Sequence, residues 1–157
     1  MTPLLESDYD EVLEMFHEPE TFKYIKPLAG KKDEWYRQFL DSKRRVIEEG
    51  KGYYWVVRVL ETGVYIGSAN LYAFRDTDMI QLGCQLKRDC WSHGYAGELM
   101  AKVLEYAVGD FGLSEVFGFF QPENVASRMI LKRLGFSYLK MLLVDNETIE
   151  VHHFVKP

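Results

Sequence analysis

The sequence predicts an α+β (mixed α/β) fold: a central, mostly antiparallel sheet containing one parallel strand pair, flanked by about four helices. Three observations predict it. Apolar periodicity is helical up to about residue 50, strand-like from Tyr53, helical again from Tyr95 and strand-like at the end, giving the order αα, βββ, α, β, α, ββ. A strand, a helix and a strand over residues 80–121 imply a parallel crossover within an otherwise antiparallel sheet. The 157 residues hold no internal repeat, linker or low-complexity tract, so they read as one domain spanning 1–157.

The first helix follows the N-cap signal Ser7-Asp8, carries Val12, Leu13 and Phe16 on one face, and is closed by Pro19. Only about five residues precede it, so any strand there is very short. A second helix runs from about Lys32 to Glu49, with Trp35, Phe39, Ser42/Lys43 and Val46 at helical steps and Gly50 and Gly52 at its end. Three strands follow as a meander: Tyr53–Leu60, Val64–Phe74 after a turn at Gly63, and Ile80–Leu86. A helix from Tyr95 buries Leu99, Val103, Tyr106 and Ala107 and stops near Gly109 or Gly112. Glu115–Gln121 is a short buried strand, and Asn124–Leu134 is a helix stopped by Gly135. Two strands, about 136–144 and 148–155, complete the chain.

Composition excludes several functions. The net charge is −5 and the densest basic run, Lys43-Arg44-Arg45, is followed at once by Glu48-Glu49, which argues against a phosphate-tracking surface for nucleic acid. An acidic surface favours cationic partners, amines included. No stretch approaches the roughly 20 apolar residues of a membrane span, and the N-terminal turn is too polar for a signal peptide. Cys84 and Cys90 show no metal-type spacing, and with His93 they lack a fourth ligand, so no metal is expected. A cytoplasmic protein with reduced thiols is the expectation; a homodimer is left open.

The chemistry points to two segments. In residues 81–100 a strand enters a turn that opens a helix with Gly94 and Ala96 at its first positions. Small residues there let an anion approach the main chain, and the unpaired N–H groups of the first helical turn suit phosphate oxygens. An ordinary strand-to-helix loop would look much the same. In residues 122–136, Asn124, Ser127 and Leu131 share a helical face, and the opposite set Ala126, Ile130 and Leu134 is expected to face the core. Asn124 is by default an N-cap. Ser127, read as a mid-helix position, is either solvated or a hydroxyl aimed at a ligand.

Together these segments resemble the GCN5-related N-acetyltransferase superfamily, and its subgroup of ribosomal-protein N-terminal acetyltransferases in particular. The signature turn Gln/Arg-x-x-Gly-x-Gly/Ala is matched by Trp91-Ser92-His93-Gly94-Tyr95-Ala96, with Trp91 departing from the strict pattern. Asn-x-x-Ser followed by Leu-Gly-Phe is matched by Asn124, Ser127 and Leu134-Gly135-Phe136, and Leu4-Leu5-Glu6-Ser7-Asp8 resembles the end of the family's first strand.

The resemblance implies acetyl transfer from acetyl-CoA, used as a co-substrate, to a primary amine of a protein N-terminus or small molecule. It implies that strand 80–86 splays from its parallel neighbour and offers main-chain groups of Gln85 and Leu86 to the pantetheine arm. Ser92, His93, Gly94, Tyr95, Ala96 and Gly97 would hold the pyrophosphate, and Asn124 would touch the pantetheine. Many relatives carry a tyrosine proton donor seven residues after the Asn. Here that position is Leu131, and Ser127 is the substitute donor. No general base is identified; Asp145, Glu147 and Glu150 are carboxylates in or beside the last hairpin. A non-catalytic acyl-CoA-binding module and a protein-interaction domain are the rival readings, the first suggested by Leu131.

Overall fold

A computed structural model describes all 157 residues. It contains a seven-stranded mixed sheet in the order β1-β2-β3-β4-β5-β7-β6. The elements are β1 (Thr2–Pro3), α1 (Tyr9–Phe16), α2 (Asp33–Glu48), β2 (Gly52–Arg58), β3 (Tyr65–Ala73), β4 (Ile80–Leu86), α3 (Tyr95–Val108), β5 (Glu115–Phe120), α4 (Val125–Arg133), β6 (Ser137–Val144) and β7 (Glu147–Val155). Only β4 and β5 pair in parallel; every other neighbouring pair is antiparallel. The four helices, the meander β2–β4 and the parallel crossover match the sequence-based expectation. The leading strand is two residues long, as its short run before the first helix requires.

Strand alternation divides the core in two. Trp55 and Val57 of β2 point into a cluster with Leu99, Val103 and Ala107 of α3, while Tyr54 and Val56 point into a cluster with Val12, Met15 and Phe16 of α1 and Tyr36 and Leu40 of α2. Successive strand residues face opposite sides, so α1 and α2 cover one face of the sheet and α3 and α4 the other. Arg58, which follows a bulge in β2, reaches Asp8 at 3.1 Å and also pairs with Glu11, tying the sheet to α1.

Three local expectations are corrected. Asp8 does precede α1, but its carboxylate accepts the Leu5 N–H at 2.9 Å rather than capping the helix, because Glu6–Asp8 already forms a tight 3₁₀ turn. On α2 the buried residues are Tyr36 and Leu40, one position on from Trp35 and Phe39. Trp35 is exposed and stacks at 5.8 Å on Phe39, which is half-buried at the margin of the core, so this aromatic pair produces the same spacing as a core stripe. On α4 it is Leu131 that is buried, while Ala126 is exposed and Ile130 and Leu134 only half-buried. Gly118 in β5 explains it: a Cβ at that position would lie 2.4 Å from a Leu131 methyl, so the absent side chain admits the leucine.

Candidate active site

The parallel pair β4–β5 determines the site. It is registered at a single point, Gln81 with Phe117, and the strands then part. On its other side β4 stays paired with β3 through Leu86. The Lys87 N–H donates to the Ile66 carbonyl at 2.9 Å, which sets the alternation of the ladder. The main chain of Gln85 therefore turns toward β3, and that of Cys84 and Leu86 toward the open side. The Leu86 carbonyl accepts a hydrogen bond from the Trp91 indole at 2.8 Å. Trp91, with the Arg88 guanidinium 4.5 Å above its ring, thus ties the loop after β4 back to the strand end.

Beyond Trp91 the chain turns sharply. Ser92 has φ 64° and Gly94 φ 84°, both left-handed, and Gly94 is the residue before α3. A glycine adopts that conformation without steric cost. No side chain caps the helix, and the first intrahelical bond is Glu98 N–H to Gly94 carbonyl at 3.2 Å, so the N–H groups of Tyr95, Ala96 and Gly97 have no helical acceptor. A Cβ at Gly94 or Gly97 would meet nothing within 4 Å. His93 and Tyr95 stack with centroids 6.0 Å apart at the side of this open end. Exposed amide donors at the positive end of a 14-residue helix fit a diphosphate.

Asn124 is the N-cap of α4, its Oδ1 accepting the Ser127 N–H at 3.1 Å. Ser127 consequently lies in the first turn rather than mid-helix, and its hydroxyl is unpaired. The start of α4 is clamped from behind: Arg128 donates to Glu150 through Nε at 3.2 Å and Nη2 at 2.5 Å, and to the Pro122 carbonyl at 2.6 Å. Glu150 also pairs with His152 Nε2 at 3.0 Å, and the Arg128 guanidinium holds its carboxyl below the usual range.

A cavity of about 290 Å³ occupies the gap between the parted strands. Its lining on the α3–α4 side includes Leu82, Cys84, Met100, Asn124, Ser127 and Leu131; its lining on the α1–α2 side includes Tyr24, Phe39, Tyr54, Tyr72, Phe74 and Phe119. Burial pushes the Cys84 thiol up to about 12, so it stays protonated in this wall. Among the aromatic residues of the N-terminal half, Tyr24 and Phe74 reach the cavity, while Tyr36 is core and Trp35 is exposed. Tyr54, Asn70 and Phe119 were not legible as site residues; alternation in β2, β3 and β5 fixes the face each takes, but not that the faces meet in one cavity.

The three carboxylates near the last hairpin are all engaged. Asp145 pairs with Arg75, which holds its carboxyl low, and Glu147 accepts Lys26 at 3.0 Å and Gln121 at 3.1 Å. With Glu150 held by Arg128, none is a free carboxylate in the cavity lining.

Comparison with known proteins places this geometry among relatives. A family model described as an acetyltransferase (GNAT) domain matches residues 1–137. The chain is 26% identical over 117 residues to the uncharacterized N-acetyltransferase YoaA of Bacillus subtilis (strain 168), covering 70% of this chain and 66% of that one. Among solved structures, an acetyltransferase from Agrobacterium tumefaciens str. C58 superposes with a TM-score of 0.85 at 17% identity, covering 99% of this chain and 89% of that one. RimL, a ribosomal L7/L12 alpha-N-protein acetyltransferase solved in complex with coenzyme A, superposes with a TM-score of 0.83 at 10% identity, covering 98% and 92%. No helix is long and apolar enough to cross a membrane.

Proposed function

The chain belongs to the GNAT acetyltransferase family, and from that premise we propose that it transfers an acetyl group from acetyl-CoA to a primary amine by direct attack within the β4–β5 gap. One observation carries the reading: a single cavity is lined on one side of the sheet by the α4 start and on the other by aromatic residues of the α1–α2 side. Two substrates approaching from opposite faces meet where the strands part.

The main-chain N–H groups of Tyr95, Ala96 and Gly97, with Ser92, His93 and Gly94 shaping the turn, hold the pyrophosphate. The open edge at Cys84 and Leu86 receives the pantetheine amides as a strand would, with Gln85 contributing its side chain to the wall. Asn124 keeps its amide NH₂ for the pantetheine, since only its oxygen is used in the cap. Acetyl-CoA supplies the activated acyl group; the new bond is amine nitrogen to carbonyl carbon, and the bond broken is carbonyl carbon to sulfur. The departing thiolate needs one proton, and the unpaired Ser127 hydroxyl supplies it or hydrogen-bonds to the sulfur. Positioning two reactants in one gap supplies much of the rate enhancement.

The amine must lose a proton, and no unpaired carboxylate lines the cavity to take it. An α-amine of pKa about 7.7–8.0 is already largely neutral near pH 7.5, whereas a lysine-type amine at about 10.4 requires roughly 4 kcal/mol for deprotonation. Water can accept the proton in the first case, which favours an α-amine such as a protein N-terminus. Initial rates of thiol release, measured while both substrates are varied, test direct attack. Intersecting double-reciprocal lines are expected; parallel lines would indicate an acetyl-enzyme and contradict it.

A further inference from the structure

We propose that the acceptor is the α-amine of a residue with an aromatic or large apolar side chain whose own carboxyl group is blocked as an amide. This deepens the acetyltransferase reading and rests on it. Not one of the 21 residues lining the cavity is Asp, Glu, Lys, Arg or His, and 14 are hydrophobic. A free carboxylate carried into that cavity would lose its hydration and meet no positive charge, and a second ammonium would meet rings but no negative charge. That wall already carries a cation: the Lys43 nitrogen lies 4.3 Å from the Tyr72 ring centroid and 4.8 Å from that of Phe39, so a polycation would meet like charge there.

The wall is built for a flat apolar group. Phe74 and Phe119 stack at 3.9 Å with their planes 8° apart, joining the end of β3 to β5 past the start of β4. Both are only half-buried, so ring surface remains for a third group. Beside them the lining adds uncharged polar groups, the side-chain amides of Asn70, Gln81 and Gln85. Uncharged donors and acceptors beside a ring-lined wall suit a neutral amide backbone bearing an apolar side chain.

Phenylalaninamide, glycinamide, free phenylalanine and spermidine are compared as acceptors by acetyl-CoA-dependent thiol release, with acetyl-CoA binding measured separately by calorimetry. Phenylalaninamide is expected to exceed glycinamide in kcat/KM by about tenfold or more, which one buried ring readily supplies. Free phenylalanine and spermidine are expected to be poorer still. Equal rates on both amides, a preference for spermidine, or no turnover of phenylalaninamide overturns the acceptor class, and if acetyl-CoA still binds, the acetyltransferase reading survives. Loss of acetyl-CoA binding in the unaltered protein overturns both.

Discussion

The two sides of the β4–β5 gap are built on different principles. On the α3–α4 side main-chain groups predominate: N–H groups after Gly94 without a helical acceptor and the open edge at Cys84 and Leu86, beside the side chains of Asn124 and Ser127. On the α1–α2 side the recognition groups are side chains drawn from several elements, Tyr24, Phe39, Tyr54, Tyr72, Phe74 and Phe119 among them. A main-chain site needs a conformation, and a conformation leaves a mark in the sequence, such as glycine at a positive φ. A side-chain site needs only surfaces that converge in space, and convergence leaves no local mark.

The sharpest way to break this comparison is to fill the main-chain side. Gly94→Glu places a carboxylate at the open helix end, where a Cβ has room, and imposes a left-handed φ on a residue that tolerates it poorly. Coenzyme A affinity is expected to fall more than about a hundredfold, because the carboxylate takes up the diphosphate position and repels it. Folding should persist, since nothing is overpacked. A titration showing affinity equal to that of the unaltered protein would mean the phosphates bind elsewhere.

Ser127→Ala comes next, and it sharpens what the α4 start contributes. A hydroxyl acting on the thiolate predicts a kcat reduced about 10²-fold with acetyl-CoA affinity little changed. A hydroxyl that only touches the cofactor predicts the reverse: affinity lower by about tenfold at most. Steady-state rates beside a binding measurement separate the two. An unchanged kcat under chemistry-limited conditions would transfer the role to water.

The smallest expected effect concerns the clamp behind α4. Arg128 holds the Glu150 carboxyl below its ordinary value of 4.5. A depressed folded-state pKa contributes stability that is present above the unfolded value and is lost as pH falls through the folded one. Glu150→Gln should therefore have a lower urea midpoint than the unaltered protein at neutral pH, and the gap should close in acid below about pH 4. A gap that is constant with pH would show that the pair is not what couples α4 to β7.

Much of the architecture was legible because it depends on local rules. The period change at residue 52, the crossover over 80–121 and the turn at Gly94 each follow from a few adjacent residues, and Asn124 as an N-cap follows from its position alone. What was not legible depends on contacts far apart in the chain. Leu131 is buried because Gly118 leaves it space, which no helical pattern within α4 reveals. Tyr36 enters the core against Phe16 and Phe22, while Trp35 stays exposed and stacks on the half-buried Phe39. Asp145, Glu147 and Glu150 look alike in sequence as candidate bases. Their partners Arg75, Lys26 and Arg128 lie 70, 121 and 22 residues away, and only the folded hairpin brings each pair together.

The central claim is that the uncapped end of α3 and the open edge of β4 form one acetyl-CoA site. Thermal unfolding with and without acetyl-CoA tests it most directly. At 100 times the dissociation constant, binding adds about 2.7 kcal/mol, which for a domain of this length raises Tm by about 5–10 °C. That rise is the result expected for the unaltered protein, with little or none for Gly94→Glu at the same concentration. No shift in the unaltered protein at millimolar acetyl-CoA would contradict the account.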